Sequence, residues 1–557
     1  AAAVARASNG LPLARILLAY ADWLIHLGMA PGKVAQLAEL AARQRLGTAR
    51  FALGQFGDTP PQRVVEPEPG DRRFNDEGWR KPPFSLIEQD FLARRQWWGA
   101  ATSGVRGVSA RNADMVSFFT RAAIDAASPY NFPWSNPEVL RATANEKGMN
   151  LVRGARNFLR DSWRNATGAP PKAVEGFKVG ENLAPTPGKV VYRNRLIELI
   201  QYTPTTKRVH PEPVLIVPAW IMKYYILDLS AGKSMVRYLL DQGHTVFILS
   251  WKNPDADDRD LGMDDYRLLG PMAALDAIND IIGDQRKVHA MGYCVGGTLM
   301  AITAATMARD GDDRLATLTL LAAQTDFSLA GELLMFINAS QLNLLNSQMD
   351  EKGYLDKGQM AGAFMLLRAN DLIWAQRVND YLLGKQTPAI DLMAWNAAAT
   401  RLPYRMHREY LRKLYLQNQL GTGQYRVEGQ PIAIRDIRVP IFVVGTETDH
   451  IAPWHSAYRT CLLAHNDDLS FLLTSGGHNA GIVTPPGHPR RRYRMRGMGA
   501  GQTYLPPERY YAETESEQGS WWPVWQGWLR ERSGNKVAPP EMGAALCAAP
   551  GTYVFQQ

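Results

Sequence analysis

Met291-Gly292-Tyr293-Cys294-Val295-Gly296-Gly297 constrains this chain more than any other stretch. An apolar run, Val288 to Met291, leads into it and a helix-prone run, Thr298 to Arg309, leads out, so the order is strand, sharp turn, helix. Glycines at 292, 296 and 297 let the backbone take the strained turn of a nucleophile elbow, with Cys294 at the point where a serine hydrolase carries its serine. A thiol there stands at the new helix's N-terminus, an environment that favours a thiolate. Taken alone, the seven residues also admit a second, less favoured reading as a buried structural cysteine beside a glycine-rich turn. What decides between the two lies downstream.

The chain is long enough, at 557 residues, for two or three domains, and 46% hydrophobic with 21% charged residues is the balance of an ordinary globular protein. Three scattered cysteines, Cys294, Cys461 and Cys547, build neither a disulfide framework nor a zinc site and point to a reducing, cytoplasmic compartment. There is no CxxC, HExxH, Walker or dinucleotide-binding pattern, so no metal or nucleotide cofactor is expected. The net charge of +8 suits a polyanionic or phosphate-bearing partner without choosing one. Its densest contribution is Pro489-Arg490-Arg491-Arg492-Tyr493-Arg494-Met495-Arg496, readable as a solvated loop. No apolar run reaches the ~18 residues of a membrane span. The sequence starts at Ala1, not at an initiator methionine, so inspection leaves a removed signal peptide open.

Residues 1–175 read as a mostly helical first domain, broken by prolines at Asp58–Pro61, Pro82–Pro83, Ser128–Pro133 and Ala169–Pro171. Leu13 to Ala30 is amphipathic, with Ile16, Tyr20, Trp23 and Leu27 on one face, and docking on the rest of the protein is favoured over binding an apolar surface. From residue 176 to 557 strands alternate with helices. Lys189–Asn194 and Leu196–Thr203 form a hairpin; Val214–Val217, His244–Leu249, Lys287–Met291, Leu315–Ala323, Val439–Gly445 and Leu469–Thr474 are strands; Lys233–Gln242, Asp264–Ile282 and Pro453–Leu463 are helices. That alternation predicts a mostly parallel sheet covered on both faces, in the order of an α/β-hydrolase fold. The segment at about 326–437 is surplus to such a fold and is expected to be a cap over the elbow.

In this fold the triad runs nucleophile, acid, histidine, each on a loop at a strand's C-terminal end. The strand Ile441–Gly445 runs into Thr446-Glu447-Thr448-Asp449-His450, and the strand Phe471–Thr474 into Ser475-Gly476-Gly477-His478-Asn479. Cys294, Asp449 and His478 therefore form the expected constellation, with Glu447 as a rival acid and His450 as a rival base. A free thiol with a pKa near ~8.5 is mostly protonated at neutral pH, so His478 is expected to take its proton or hold it as an ion pair, while Asp449 orients the imidazole and stabilises its charged form. Singly, Asp449 also reads as a turn residue or a helix cap before Pro453, and His478 as a merely exposed one; the three positions together argue otherwise. His289, on the strand into the elbow, reads as a packed core residue. The oxyanion donors are expected to be the backbone N–H of Val295 and that of Trp220 or Ile221, after the strand Val214–Val217.

Several further blocks occur in order: Asp71-Arg72-Arg73-Phe74, Asn136-Pro137-Glu138, Gln201-Tyr202-Thr203-Pro204, Lys223-Tyr224-Tyr225-Ile226-Leu227-Asp228-Leu229, Ser250-Trp251-Lys252-Asn253-Pro254-Asp255 and Gly519-Ser520-Trp521-Trp522-Pro523. With them, the sequence over roughly residues 70–557 resembles the polyhydroxyalkanoate synthases of the single-chain class I, or poly(3-hydroxybutyrate) polymerase, type. The resemblance implies a helical N-terminal domain and a Cys–Asp–His triad at Cys294, Asp449 and His478. It implies an acyltransferase that polymerises (R)-3-hydroxyacyl-CoA, short-chain such as 3-hydroxybutyryl-CoA, through a Cys-bound thioester with release of CoA. It also implies a homodimer attached to polymer granules in the cytoplasm, with no nucleic-acid partner. Whether Asp449 or His478 activates the 3-hydroxyl stays open at this stage.

Three positions depart from the family pattern: Ala398, in Trp395-Asn396-Ala397-Ala398-Ala399-Thr400, where an aspartate is usual, and Ala219 and Met222, where proline and asparagine are usual. Substrate contacts are expected from Asn396 and, through the phosphates of CoA, from Arg490, Arg491 and Arg492. Trp521, Trp522, Trp525 and Trp528 read as a C-terminal core helix, and the tail after Pro539 as irregular and peripheral. The competing readings are a cysteine-dependent hydrolase resembling dienelactone hydrolase, a thioesterase, and a granule-binding scaffold on an inactive hydrolase fold.

Overall fold

A computed structural model of the chain describes residues 13–55, 61–68, 70–169, 171–283, 286–356, 373–499 and 502–557. The break expected at Asp58–Pro61 lies outside them except for Pro61, as do Pro170 and residues 357–372 of the expected cap. The chain divides into two compact units, one made of Ala173–Met360 with Ala389–Gln557, the other of Ala3–Lys172 with Ala361–Pro388. The second unit is the helical one, but it takes in part of the segment assigned from sequence to the cap.

In the larger unit the described residues form an 11-stranded sheet. Its strands are β1 (Gly188–Arg193), β2 (Ile197–Tyr202), β3 (Val214–Val217), β4 (Val246–Trp251), β5 (Val288–Tyr293), β6 (Leu315–Leu321), β7 (Ile441–Thr446), β8 (Leu469–Thr474), β9 (Arg492–Gly497), β10 (Glu517–Gln518) and β11 (Cys547–Ala548). They lie side by side in the order β10-β9-β8-β7-β6-β5-β3-β4-β2-β1-β11. The six from β4 to β8 are mutually parallel, and the outer strands are antiparallel additions. This is the α/β-hydrolase fold. β3, β4, β5, β7 and β8 are buried along their whole length, which is why they read as unbroken apolar runs. After β4 the chain crosses to the other side of β3 to lay down β5, so the order reverses between β3 and β5 and opens a crevice at their C-terminal ends.

Three stretches differ from the sequence reading. The helix expected over Asp264–Ile282 is broken into Met263–Arg267, a π-helical turn Leu268–Met272 and Ala273–Ile282. Pro271 supplies no N–H to the ladder, and a Cβ on Gly270 would stand 2.6 Å from the Trp251 ring. The arginine-rich stretch is a loop only through Arg491; from Arg492 it is strand β9, whose Tyr493 is buried while Arg492 and Arg494 reach Glu447 at 2.8 and 3.5 Å. The tail is also structural. Cys547–Ala548 pairs with β1, Val554 is buried, and Lys223 Nζ donates to the carbonyls of Tyr553 and Gln556 at 3.2 and 2.7 Å.

The helical unit is built on Leu13–Gly28, Pro31–Gly54, Phe84–Thr102 and Ala110–Ala126. Trp23 and Ala19 pack with Leu37, Ala101, Met115 and Val116, with Ile16, Tyr20 and Leu27 alongside, so the face identified in the sequence docks internally. The opposite face, Leu17, Leu18, Leu24 and Ile25, is exposed. Arg73 is held between Asp71 and Asp125 at 2.7 and 2.8 Å with all three side chains buried, a charge-compensated tie between a loop and a helix. Asn136 caps the helix Pro137–Asn145 by accepting from the N–H groups of Glu138 and Val139. In the helix Met149–Thr167, Asn150, Gly154 and Asn157 share one face. Asn150 and Asn157 donate to the carbonyls of Leu382 and Asp380, both at 2.9 Å, and a Cβ on Gly154 would sit 1.7 Å from the Tyr381 carbonyl oxygen.

Candidate active site

β5 ends at Tyr293 and the helix Val295–Asp310 begins two residues later, leaving Cys294 alone at the turn with φ 56° and ψ −128°. A non-glycine residue held there is strained by about 1–3 kcal/mol, and the surroundings enforce it. A Cβ on Gly296 would lie 2.3 Å from the Val217 carbonyl oxygen, and one on Gly292 would lie 2.4 Å from the Gly297 Cα. Any side chain at these positions would push the helix off the sheet. Cys294 N–H donates to the Leu321 carbonyl of β6 at 2.9 Å, fixing the turn against the neighbouring strand. The residue remains partly exposed.

Asp449 and His478 stand on the loops after β7 and β8, which pair in parallel register, so the two loops emerge side by side. His478 Nδ1 lies 2.8 Å from Asp449 Oδ2, and both side chains are buried. Oδ2 also accepts from Thr446 Oγ1, while Oδ1 accepts from the N–H groups of Ile451 and Ala452, each at 2.9 Å. Asp449 is thus both the acid facing the imidazole and the residue that organises its own turn. Burial pushes its pKa up, but the His478 charge and these hydrogen bonds outweigh that and hold it below the ordinary carboxylate value. An ionised carboxylate only accepts, so Nδ1 carries the proton and the other ring nitrogen is left for the thiol. Cys294 is near enough for its sulfur to act electrostatically on the His478 ring. Burial works against a charged imidazole, yet Asp449 and Cys294 together raise the His478 pKa well above its ordinary value.

The rivals are otherwise engaged. Glu447 is taken by Arg492 and Arg494, and the ring that meets Asp449 is that of His478. His289 is a core residue, bonded to Thr317 and Ser533. Two supports escaped the sequence reading. Tyr293 donates to Asn479 Oδ1 at 2.5 Å, and its ring lies 5.3 Å from that of His478, so the chain neighbours of Cys294 and His478 are tied together. Trp521 and Trp522, at the start of the buried C-terminal helix Trp522–Glu531, donate from their indoles to the carbonyls of Gly481 and Ile482 at 3.0 and 2.9 Å, pinning the loop that carries His478. The spacing of the four tryptophans announced a core helix; nothing in it announced which loop the helix would hold.

Val295 is the first residue of the elbow helix, whose leading N–H groups have no intrahelical partner. The loop after β3 holds Trp220 and Ile221. Trp220 is buried against Trp251, Tyr266 and Tyr410, and its carbonyl accepts from Thr400 Oγ1 at 2.5 Å. The Ile221 carbonyl accepts from Thr400 N–H at 3.0 Å, and Lys223 N–H donates to the Ala398 carbonyl at 3.3 Å. Ala398 therefore meets the loop after β3 through its backbone, and Met222 forms a bridge with Ala399. Ala219, the third departure, is buried. Asn396, at the end of the helix Asp391–Asn396, is exposed. Of the three arginines, Arg490 is exposed, Arg491 donates to the Ser475 carbonyl at 3.2 Å, and Arg492 is paired with Glu447. They are not gathered into one phosphate cradle.

A cysteine on a nucleophile elbow, with a histidine and a buried carboxylate on the two loops beyond, defines an enzyme of the α/β-hydrolase fold with a cysteine triad. The α/β-hydrolase family itself matches residues 212–485. The N-terminus family of poly-beta-hydroxybutyrate polymerase (PhaC) matches residues 70–239, and a second N-terminal family of the same polymerase matches residues 1–33. A poly(3-hydroxyalkanoate) polymerase of Methylorubrum extorquens is 40% identical over 92% of this chain and 86% of its own. Poly(3-hydroxyalkanoate) polymerase subunits PhaC of Rhizobium meliloti and Cupriavidus necator are 37% and 36% identical, over 87% of this chain in both cases and 79% and 83% of their own. The chain belongs to the poly-beta-hydroxybutyrate polymerase (PhaC) family and is an acyltransferase.

Proposed function

We propose that this enzyme polymerises (R)-3-hydroxyacyl-CoA, short-chain such as 3-hydroxybutyryl-CoA, into polyhydroxyalkanoate through an acyl group held on Cys294. The observation that carries the reading is the line Cys294, His478, Asp449 on an elbow, in a chain whose relatives over most of its length are poly(3-hydroxyalkanoate) polymerases. His478 takes the thiol proton, the sulfur attacks the thioester carbonyl, and the departing CoA sulfur receives the proton back. The developing oxyanion is received by the N–H groups of Val295 and of Trp220 or Ile221. One thioester replaces another of similar energy, so the acyl group stays activated for the next step. The 3-hydroxyl of one acyl unit then attacks the thioester of another, forming the ester and freeing a thiol.

His478 is the base for that step as well. Both Asp449 oxygens are already committed to His478, Thr446 and two backbone N–H groups, and its lowered pKa makes it a poor proton acceptor. Asp449 therefore orients. A homodimer working at the surface of its own insoluble product, in the cytoplasm, completes the reading, with no cofactor beyond the CoA thioester.

Purified protein supplied with 3-hydroxybutyryl-CoA tests it. CoA release should be matched by insoluble polyester, and Cys294→Ala should abolish both while Cys294→Ser leaves little. Release of CoA with free 3-hydroxybutyrate and no polymer would establish the thioesterase reading instead.

A further inference from the structure

Beside the elbow lies a pair of buried phenols that the mechanism above does not use. The helix Tyr404–Glu409 continues into a π-helical stretch, Tyr410–Leu416. In an α-helix, residues five apart point about 140° away from each other. The i→i+5 hydrogen bonding of a π-turn, seen here in Gln417 N–H to the Arg412 carbonyl at 3.0 Å, brings Tyr410 and Tyr415 to the same side instead. Their ring centroids are 5.4 Å apart, and Tyr410 Oη donates to Tyr415 Oη at 3.3 Å.

The pair is anchored at both ends to the site. Tyr410 packs on Trp220 of the oxyanion loop, with ring centroids 6.4 Å apart. Tyr415 Oη donates to Gln324 Oε1 at 3.5 Å. Gln324 is fixed by the elbow helix, whose Thr298 Oγ1 donates to its carbonyl at 2.8 Å, and by Ser456, which accepts from its amide nitrogen at 2.9 Å. Burial pushes both phenols above the ordinary tyrosine value; the Tyr415 hydroxyl adds to this for Tyr410, whereas the Tyr410 hydroxyl works against it for Tyr415. They remain neutral donors at any working pH.

Hydroxyl hydrogen bonds normally close to about 2.7–2.8 Å, so at 3.3 and 3.5 Å the single O–H of each phenol is held only loosely by its present acceptor. A loosely held, buried donor one residue removed from the elbow helix suits an acceptor that arrives with the substrate. A growing polyester offers that acceptor. It has one ester carbonyl per unit and no N–H group, so a protein can grip it in a dry site only by donating. We propose that the Tyr410–Tyr415 pair is the donor site for the ester carbonyl of the growing chain, with Tyr410 Oη turning from Tyr415 to that carbonyl and Tyr415 Oη turning from Gln324 to support Tyr410. The inference rests on the polymerase reading and names a substrate-binding element for it.

The test compares two CoA thioesters as acyl donors to Cys294, in the full chain, by rapid-quench measurement of CoA release: the 3-hydroxybutyryl monomer, which has no ester, and the linear trimer, which has two. Tyr410→Phe removes one oxygen atom and keeps the ring packing. It should slow acylation by the trimer about 3- to 10-fold, the size of one neutral hydrogen bond, while leaving the monomer within about 2-fold. Tyr415→Phe should move the trimer in the same direction by less. The alkylation rate of Cys294 by iodoacetamide should match wild type in both variants, marking an intact elbow. Equal slowing of the two thioesters, or slowing of neither, would overturn the proposal. If wild type is acylated by neither, the polymerase reading itself falls, which is a separate and recognisable result.

Discussion

Asp449 shows how much one side chain can do when every lone pair has a partner. Its two oxygens accept from His478, Thr446, Ile451 and Ala452, so the carboxylate stays ionised in a buried setting and fixes the imidazole in the tautomer that leaves the other nitrogen toward Cys294. Replacing Asp449 by Asn removes the charge, and the amide can turn its N–H₂ toward Nδ1 and invert the tautomer. By analogy with the serine-protease aspartate, turnover should fall by on the order of 10³–10⁴. If Asp449 only orients, acylation of Cys294 and polymer elongation fall together; rapid-quench CoA release beside steady-state polymer formation separates the two. A loss confined to elongation would make Asp449 the base for the 3-hydroxyl.

At the scale of elements, the elbow depends on how closely the helix Val295–Asp310 approaches β3 and β5. Gly296→Ala places a methyl 2.3 Å from the Val217 carbonyl oxygen, where backbone and not a flexible side chain must yield. The expected cost is about 1–3 kcal/mol of overpacking, read from urea unfolding, with acylation reduced because the turn bearing Cys294 shifts. The elbow was legible because its glycines stand between an apolar strand and a helix, and the loops of Asp449 and His478 because each follows a strand buried on both faces. Strand β9 was not, because a run of arginines outweighed the period-two placing of Tyr493 and Met495 between them. The tyrosine pair was invisible, since a spacing of five residues makes neighbours only in a π-turn that no local preference foretells. The grouping of part of the insertion with the helical unit was signalled only by Asn150, Gly154 and Asn157, small or polar residues on a helix face where a core stripe would be apolar.

Across the whole sheet the chemistry sits at one edge and a different ionisable cluster at the other. Cys294, Asp449 and His478 follow the C-terminal ends of β5, β7 and β8, whereas His210, His244 and His289 lie before or at the N-terminal ends of β3, β4 and β5. The rings of His210 and His244 are 4.8 Å apart, and among the described residues neither His244 nitrogen has a hydrogen-bond partner. Burial, then the neighbouring histidines, lowers His244 to about 3; burial, then His210 and Arg532, lowers His289 to about 4. Both are neutral in the folded chain, while the unfolded chain binds their protons below about pH 6.5. The unfolded state therefore binds more protons in acid, and stability should fall as pH drops from about 6.5 toward 4, by up to one proton of slope per imidazole. His244→Leu should flatten that limb of a Tm-against-pH curve; an unchanged limb would mean the cluster does not set acid stability.

The covalent intermediate is the claim on which the chemistry depends, and intact-protein mass measurement tests it most directly. After rapid mixing with limiting (R)-3-hydroxybutyryl-CoA and acid quench, wild type should carry one or more 3-hydroxybutyryl units on the peptide containing Cys294, removable by hydroxylamine as a thioester. Release of CoA at the wild-type rate with no adduct, or with the adduct on another residue, would contradict the account.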